Sequence, residues 1–105
     1  MKKMIYLLAL SISMGVFSQN LPKGFVYLQN VDASIQKELR YLSTNNFIGK
    51  PIDGYINECI IISKPTALAL KKIQTKLKKD SLSLKIFDAY RPQQAVNHFV
   101  RWAKV

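Results

Sequence analysis

Hydrophobic and polar residues alternate between positions 82 and 86, and a helical pattern follows shortly afterwards. Leu82, Leu84 and Ile86 are separated by polar residues, a period of two that predicts a strand with a buried face. Pro92 stands where a helix can begin, because its fixed φ suits the first helical turn and its missing N–H needs no partner there. Beyond it, the apolar residues fall on one arc of a helix: Ala95, Val96, Phe99, Val100, Trp102 and Ala103.

A second amphipathic helix is predicted over residues 66–79, after the start signals Ser63, Lys64 and Pro65. The residues predicted to form its apolar face are Thr66, Ala69, Leu70, Ile73 and Leu77. Lysines spread over the rest of the surface at positions 64, 71, 72, 76, 78 and 79. The apolar run at residues 59–62 predicts a buried strand before this helix, with Cys59 as a small core residue.

The patterns are shorter in the first half of the chain. Residues 25–28 predict a strand, Asp32 is placed to cap a short helix over residues 33–39, and residues 39–42 are predicted to be extended. Residues 43–55 form a loop long enough to suggest a function. Two interpretations of it remain open: one wall of a substrate cleft, or a surface connection with Phe47 and Tyr55 packed onto the core.

A chain of 105 residues allows one domain, and its first 18 residues are predicted to be a secretory signal peptide. Lys2 and Lys3 precede an apolar run that is too short to cross a bilayer comfortably, and Val16 and Ser18 suit a cleavage site. The alternative is a retained membrane anchor. We therefore expect a mature chain of residues 19–105 that is exported, periplasmic or extracellular.

The formal net charge of +10 raises the question of an anionic partner. Six lysines on one helix would suit phosphate groups, but lysine also favours helices and solvates exposed faces. Because the chain also lacks a recognised nucleic-acid motif, we predict no nucleic-acid partner, and no stable membrane insertion after signal cleavage. A second interpretation of the whole chain is a non-catalytic exported basic module that binds anionic cell-wall polymer or a membrane surface.

Arg91 occupies the junction between the predicted strand and the predicted final helix. A guanidinium held between two rigid elements can meet an oxygen atom in a fixed position. An arginine near a strand end also commonly pairs with a neighbouring carboxylate, which here would be Asp88. The local pattern leaves both interpretations open.

Several short segments resemble one peptidase family. The segment Asp88-Ala89-Tyr90-Arg91-Pro92, with the aromatic residues of the helix that follows, is similar to the Asp-Gly-Tyr-Arg-Pro segment of the zinc D-alanyl-D-alanine dipeptidases, the VanX-like metallopeptidases. Ala89 stands where that family has glycine. The family's Leu-Arg-Tyr and Asn-Phe-Xaa-Gly segments also have counterparts, which are Leu39, Arg40, Tyr41, Asn46, Phe47 and Gly49. The resemblance spans residues 25–103 and only the N-terminal half of the family domain.

This resemblance implies an α+β fold with helices packed on a small antiparallel sheet, as the incomplete half of a peptidase domain. It implies zinc-dependent hydrolysis of the D-alanyl-D-alanine dipeptide in cell-wall metabolism by the complete domain. Arg91 would be the catalytic residue that stabilises the transition state. The family's zinc ligands, two histidines and an aspartate, and its glutamate base lie further along, so no metal ligand is expected in this chain. His98 matches no ligand and is predicted to lie at the surface or its boundary.

Overall fold

A computed structural model describes residues 21–104, and the predicted signal peptide lies outside these residues. Strand β1 (Phe25–Tyr27) pairs antiparallel with β3 (Ile61–Ser63), and β2 (Gln36–Lys37) pairs parallel with β4 (Lys85–Ile86). The helices are the four-residue α1 (Leu28–Val31), the long α2 (Lys64–Lys78) and the final α3 (Gln93–Ala103). The α+β fold is confirmed, with antiparallel pairing in one strand pair and parallel pairing in the other.

The core lies where β1 and β3 pack against α2. Leu28 and Ile60 are fully buried, and the N–H of Leu28 donates to the carbonyl of Ile60 at 2.8 Å. Ile35, Leu39 and Ala67 complete the buried cluster. Each large apolar side chain buried in this way contributes about 1.5–3 kcal/mol relative to an exposed one. Ala89, which lies two residues before Arg91, packs against this cluster.

Helix α2 forms as predicted, but it is rotated relative to the predicted apolar face. Ala67 and Gln74 are the residues it buries, whereas Ile73 is exposed. The small side chain of Ala67 allows the helix backbone to approach the strands, and Gln74 is buried because it finds polar partners. All six lysines of the predicted polar surface are exposed, which agrees with the interpretation of a solvated face.

Gln74 joins α2 to two distant segments of the chain. Its Nε2 donates to Ser83 Oγ at 2.9 Å and to the carbonyl of Ser34 at 3.2 Å. Its Oε1 accepts the N–H of Leu84 at 2.8 Å. Since Ser34 precedes β2 and Leu84 precedes β4, one buried amide holds both members of the parallel pair against the helix.

The helix predicted over residues 33–39 does not form. Asp32 ends α1 instead, and its Oδ1 accepts the backbone N–H of Ser34 at 2.9 Å in a turn. The chain then enters β2, where Gln36 donates to the carbonyl of Leu84 at 3.0 Å. Pairing with a distant strand has overridden a weak local preference for helix.

Three further boundaries differ from the prediction. Residues 39–42 are not extended, because Arg40–Leu42 form a 3₁₀ turn. The strand predicted at residues 59–62 begins only at Ile61, so Cys59 is half-buried rather than a core residue. The strand predicted over residues 82–87 is reduced to Lys85–Ile86, and Leu82 is exposed.

Gly54 permits the long loop to approach the start of α3. Its φ is +91°, and a Cβ added there would lie 3.0 Å from the Cβ of Pro92 and 3.1 Å from the Cβ of Gln94. Gly24 has a similar φ of +89° but has no atom within 4 Å of an added Cβ. Comparing substitutions at Gly54 and Gly24 therefore separates the effect of a positive φ, which both share, from the effect of crowding, which only Gly54 has.

We expect Gly54→Ala to lower the free energy of unfolding by about 1–3 kcal/mol more than Gly24→Ala does, because only the former overpacks its surroundings. Urea denaturation of the two variants measures this difference. Equal losses in both variants would mean that the loop does not need its close approach to α3.

Candidate active site

Arg91 lies in the turn between β4 and α3, as the sequence predicted. The N–H of Tyr90 donates to the carbonyl of Ile61 at 3.0 Å, which places the turn beside β3. Pro92 follows with φ −59° and ψ 148°, and its carbonyl accepts the N–H of Ala95 at 3.0 Å at the start of α3. The backbone on both sides of Arg91 is therefore fixed by hydrogen bonds.

The guanidinium of Arg91 is paired with a carboxylate and also lies near two aromatic rings. Nη2 donates to Asp88 Oδ2 at 3.0 Å. Its Cζ is 5.1 Å from the ring centroid of Phe99 and 5.7 Å from that of Tyr41, within cation–π range. The side chain remains 45% exposed. The hydrogen bond to Asp88 raises the pKa of Arg91, so the group stays charged.

Asp88 accepts a second hydrogen bond on its other oxygen. The phenol of Tyr55 donates to Asp88 Oδ1 at 2.9 Å, across 33 positions of sequence. Asp88 is less exposed than Arg91, at 21% of its side chain. Burial, and then the hydrogen bond to Asp88, raise the pKa of the Tyr55 phenol above its usual value. We call these three side chains the Tyr55–Asp88–Arg91 row.

We predict that Tyr55 stays protonated at pH values where a free tyrosine phenol ionises. Because its pKa is higher in the folded chain than in the unfolded chain, its contribution to stability is complete below pH 10.0, its ordinary pKa, and is lost as the pH rises further. Titration of the phenolate absorbance in the wild type and in Tyr55→Phe tests this. The difference between the two curves should be a group that titrates above pH 10.0; a difference centred at pH 10.0 would contradict the prediction.

The loop that supplies Tyr55 is organised by the side chain of Asn46. Its Nδ2 donates to the carbonyls of Ser43 and Lys50, both at 2.8 Å. Its Oδ1 accepts the N–H groups of Ile48 at 2.9 Å and Gly49 at 3.1 Å. Gly49 has φ +80°, a conformation that favours glycine. The Asn-Phe-Xaa-Gly segment is thus a closed turn.

Aromatic rings attach this loop to α3. Phe47 lies with its ring centroid 5.3 Å from Phe99 and 5.2 Å from Trp102. Tyr41 lies 5.4 Å from Phe99 and 5.3 Å from Tyr55. Phe47 nevertheless remains 58% exposed. The loop therefore packs on the helix through its aromatic residues and still presents part of Phe47 to solvent.

The two segments that resemble the peptidase family meet at one pocket. Its volume is about 390 Å³, and its walls are formed by Arg40, Tyr41, Asn45, Asn46, Phe47, Phe87 and Asp88. The loop thus lines a pocket, and its aromatic residues pack on α3 rather than on the buried core. That this pocket is a substrate cleft stays a prediction. Arg91 is not among the lining residues, but it contacts two of them, Tyr41 and Asp88.

Arg40 is a charged wall residue whose position the sequence did not indicate. Its Nε donates to Glu38 at 2.6 Å, and its Cζ lies 4.7 Å from the ring centroid of Phe87. The placement of Arg40 depends on its contact with Phe87, a residue distant in the sequence that packs beside the 3₁₀ turn. In the sequence, the one signal for Arg40 was its match to the Leu-Arg-Tyr segment of the family.

His98 lies at the boundary between surface and interior, as predicted. Its Nδ1 accepts the backbone N–H of Asp53 at 3.1 Å, and Arg101 donates to the Asp53 carboxylate at 2.6 Å. His98 thus helps to attach the loop to α3. Within residues 21–104, no three histidine, cysteine, aspartate or glutamate side chains are grouped so as to hold a metal ion. Since a catalytic zinc takes about three protein ligands, these residues do not fit one.

Over the same stretch of chain, no helix combines the length and the apolar character needed to cross a membrane.

Comparisons with known proteins agree on one family. A peptidase family described as D-ala-D-ala dipeptidase matches residues 22–105. Among curated proteins, the chain is 39% identical over 80 residues to a D-alanyl-D-alanine dipeptidase of Enterococcus faecalis. It is 34% identical over 80 residues to proteins of the same name from Streptomyces coelicolor and Enterococcus faecium. Each alignment covers 76% of this chain and 40% of the relative, so the chain spans less than half the length of these relatives.

Proposed function

The chain belongs to the D-alanyl-D-alanine dipeptidase family of peptidases, and on that premise we propose that the whole protein hydrolyses the D-alanyl-D-alanine dipeptide in cell-wall metabolism. The observation that carries this proposal is the meeting of residues 40–47 and Asp88 at one pocket, with Arg91 bonded to Asp88 at its edge and partly exposed. The family match favours this function over that of a non-catalytic basic module.

The pocket suits a small molecule with one positive and one negative end. Its volume of about 390 Å³ lies within the range of roughly 300–1,000 Å³ that is usual for small-molecule sites. Arg40 and Asp88 give its walls one group of each charge, and Tyr41 and Phe47 add apolar surface. A zwitterionic dipeptide with two methyl side chains matches this chemistry.

In this proposal Arg91 stabilises the transition state. When water attacks a peptide carbonyl, negative charge accumulates on the carbonyl oxygen. A fixed guanidinium attracts this developing charge more strongly than the neutral carbonyl of the bound substrate, and such a difference accelerates the reaction. A guanidinium has more N–H donors than its bond to Asp88 uses, and the 45% exposure of Arg91 leaves it accessible to a substrate.

We also propose that the whole protein is an exported zinc enzyme, as the resemblance implies. Zinc would activate the attacking water. Because residues 21–104 do not fit a zinc site, its ligands would have to lie elsewhere in the protein, and the role given to Arg91 requires them to hold zinc within reach of the same carbonyl. Export rests on the predicted signal peptide at residues 1–18.

The test is release of D-alanine from D-alanyl-D-alanine by the full-length protein, with L-alanyl-L-alanine as the control substrate. We expect turnover of the D,D-dipeptide alone, loss of turnover after treatment with a chelator, and recovery when zinc is added. A zinc-loaded, folded, full-length protein that releases no D-alanine would refute the proposal.

A further inference from the structure

Asp88 and Tyr55 are not assigned to any step of the reaction, yet they are directly connected to Arg91. Each oxygen of the Asp88 carboxylate binds a different part of the chain: Oδ1 accepts from Tyr55 in the long loop, and Oδ2 accepts from Arg91 in the turn before α3. With both oxygens engaged, the carboxylate plane cannot rotate without breaking a hydrogen bond. The hydrogen bond from Tyr55 therefore limits the orientations of the Asp88 carboxylate, and with them the positions in which Oδ2 can accept from Arg91.

The orientation of Arg91 depends on its few polar neighbours, which are Asp88 and the nearby Tyr55 hydroxyl. It carries a long side chain that is 45% exposed, and an arginine in such a position has many accessible rotamers. The rings of Tyr41 and Phe99 favour a position of the guanidinium over their faces, at 5.7 Å and 5.1 Å. An aromatic face leaves the guanidinium able to turn, whereas the directional bond from Nη2 to Asp88 fixes its rotation.

Tyr55 itself is held firmly enough to act as the fixed end of the row. Its ring centroid is 5.3 Å from that of Tyr41, and its backbone N–H donates to the carbonyl of Ile52 at 3.3 Å. Ile52 is buried, and its N–H donates to the carbonyl of Tyr41 at 2.9 Å. The loop around Tyr55 is thus attached to the 3₁₀ turn that also carries Tyr41.

We propose that Tyr55 is a positioning residue, which fixes the orientation of the Arg91 guanidinium through Asp88. The positioning rests on the geometry of residues 55, 88 and 91, and its kinetic consequence rests on the function proposed above. Tyr55 does not touch the substrate in this scheme. Removing its hydroxyl should loosen Arg91 without removing any group that binds the dipeptide.

The direct test measures rotation of the Arg91 guanidinium about its Nε–Cζ bond by nitrogen-15 NMR of the full-length protein. Loss of one hydrogen bond that restrains a charged group should accelerate this rotation by about tenfold in Tyr55→Phe. Asp88→Asn, which removes the charge and keeps the shape, should accelerate it at least as much. Tyr90→Phe removes an exposed phenol from the same turn as Arg91 and should leave the rotation unchanged.

Unchanged rotation in Tyr55→Phe, in a protein whose backbone spectrum remains folded, would overturn the proposal whatever the result for Asp88→Asn. Should Tyr55→Phe fail to fold, Tyr55→Leu, which also removes the hydroxyl, takes its place. In the full-length protein, Tyr55→Phe should lower kcat by about tenfold and leave KM nearly unchanged. A raised KM with wild-type kcat would instead mean that Tyr55 binds substrate. If the wild-type protein releases no D-alanine, the proposed function fails, and the rotation measurement still decides the positioning role.

Discussion

Arg91→Ala is expected to reduce the kcat of the full-length protein on D-alanyl-D-alanine by about 10²- to 10³-fold, the usual effect of removing one donor that stabilises an oxyanion. The physical reason is that the guanidinium interacts more strongly with the charged transition state than with the neutral substrate. Steady-state kinetics measure this loss. Bound zinc should be unchanged, because Arg91 is not placed to hold a metal.

Two further arginine variants make this result specific. Arg91→Lys keeps the positive charge but loses the planar guanidinium, which can lie over Phe99 and Tyr41 while it bonds Asp88. We therefore expect the kcat of Arg91→Lys to be little higher than that of Arg91→Ala. Arg101→Ala removes an exposed arginine of α3 that pairs with Asp53 and should leave kcat near that of the wild type. Wild-type turnover in Arg91→Ala would end the assignment of Arg91.

Gln74→Leu is expected to lower the free energy of unfolding by about 1–3 kcal/mol, the usual cost of leaving buried polar groups without partners. Leucine has a similar volume, so the change removes hydrogen bonds without opening a large cavity. The N–H of Leu84, which lies 2.8 Å from Gln74 Oε1, loses its acceptor, and Ser83 loses a donor at 2.9 Å. Urea denaturation followed by circular dichroism measures the change.

Gln93→Leu is the matched control for this substitution. Gln93 is an exposed residue of α3, so the same chemical change there should alter stability by no more than about 0.5 kcal/mol. If Gln74→Leu is as stable as the wild type, the buried amide adds no net stability, and the parallel strand pair must be held by its own backbone bonds and apolar side chains.

The two long helices could be predicted because each repeats an apolar period over three or more turns, but the face that α2 buries could not. In α2 the sequence favours Ile73 over Gln74, since a glutamine is normally exposed. Its burial, to 1% of its surface, depends on Ser34, Ser83 and Leu84, which are brought to it by the fold. Periodicity describes one helix, whereas burial depends on what packs against it.

The short strands illustrate the same limit. Strand β2 is two residues long and exists because residues 36–38 bond to residues 84–86, almost fifty positions away. The residues around β2 do not indicate that a distant strand will pair with them. The pattern of residues 33–39 indicated a helix instead. Strands β1 and β3 were easier to predict, because apolar β-branched and aromatic residues are frequent in both segments.

The candidate site was partly predictable. The spacing of short motifs indicated the family and singled out Arg91, and the position of Asp88 three residues earlier suggested their pairing. The hydrogen bond from Tyr55 to Asp88 was not predictable, because it requires a loop to return across 33 positions. The turn built on Asn46 explains in physical terms why an asparagine and a glycine occur together in that loop.

The placement of the lysines on α2 has a practical consequence for work on this protein. Amine-reactive dyes, biotin and coupling resins attach to exposed lysines, and α2 offers five of them, with Lys79 directly after its end. No lysine is among the side chains that form the walls of the 390 Å³ pocket, but Lys85 Nζ lies 5.7 Å from the ring centroid of the wall residue Phe87. A Lys85→Arg variant should therefore be used when the protein is labelled or immobilised through amines, so that this wall stays chemically unmodified.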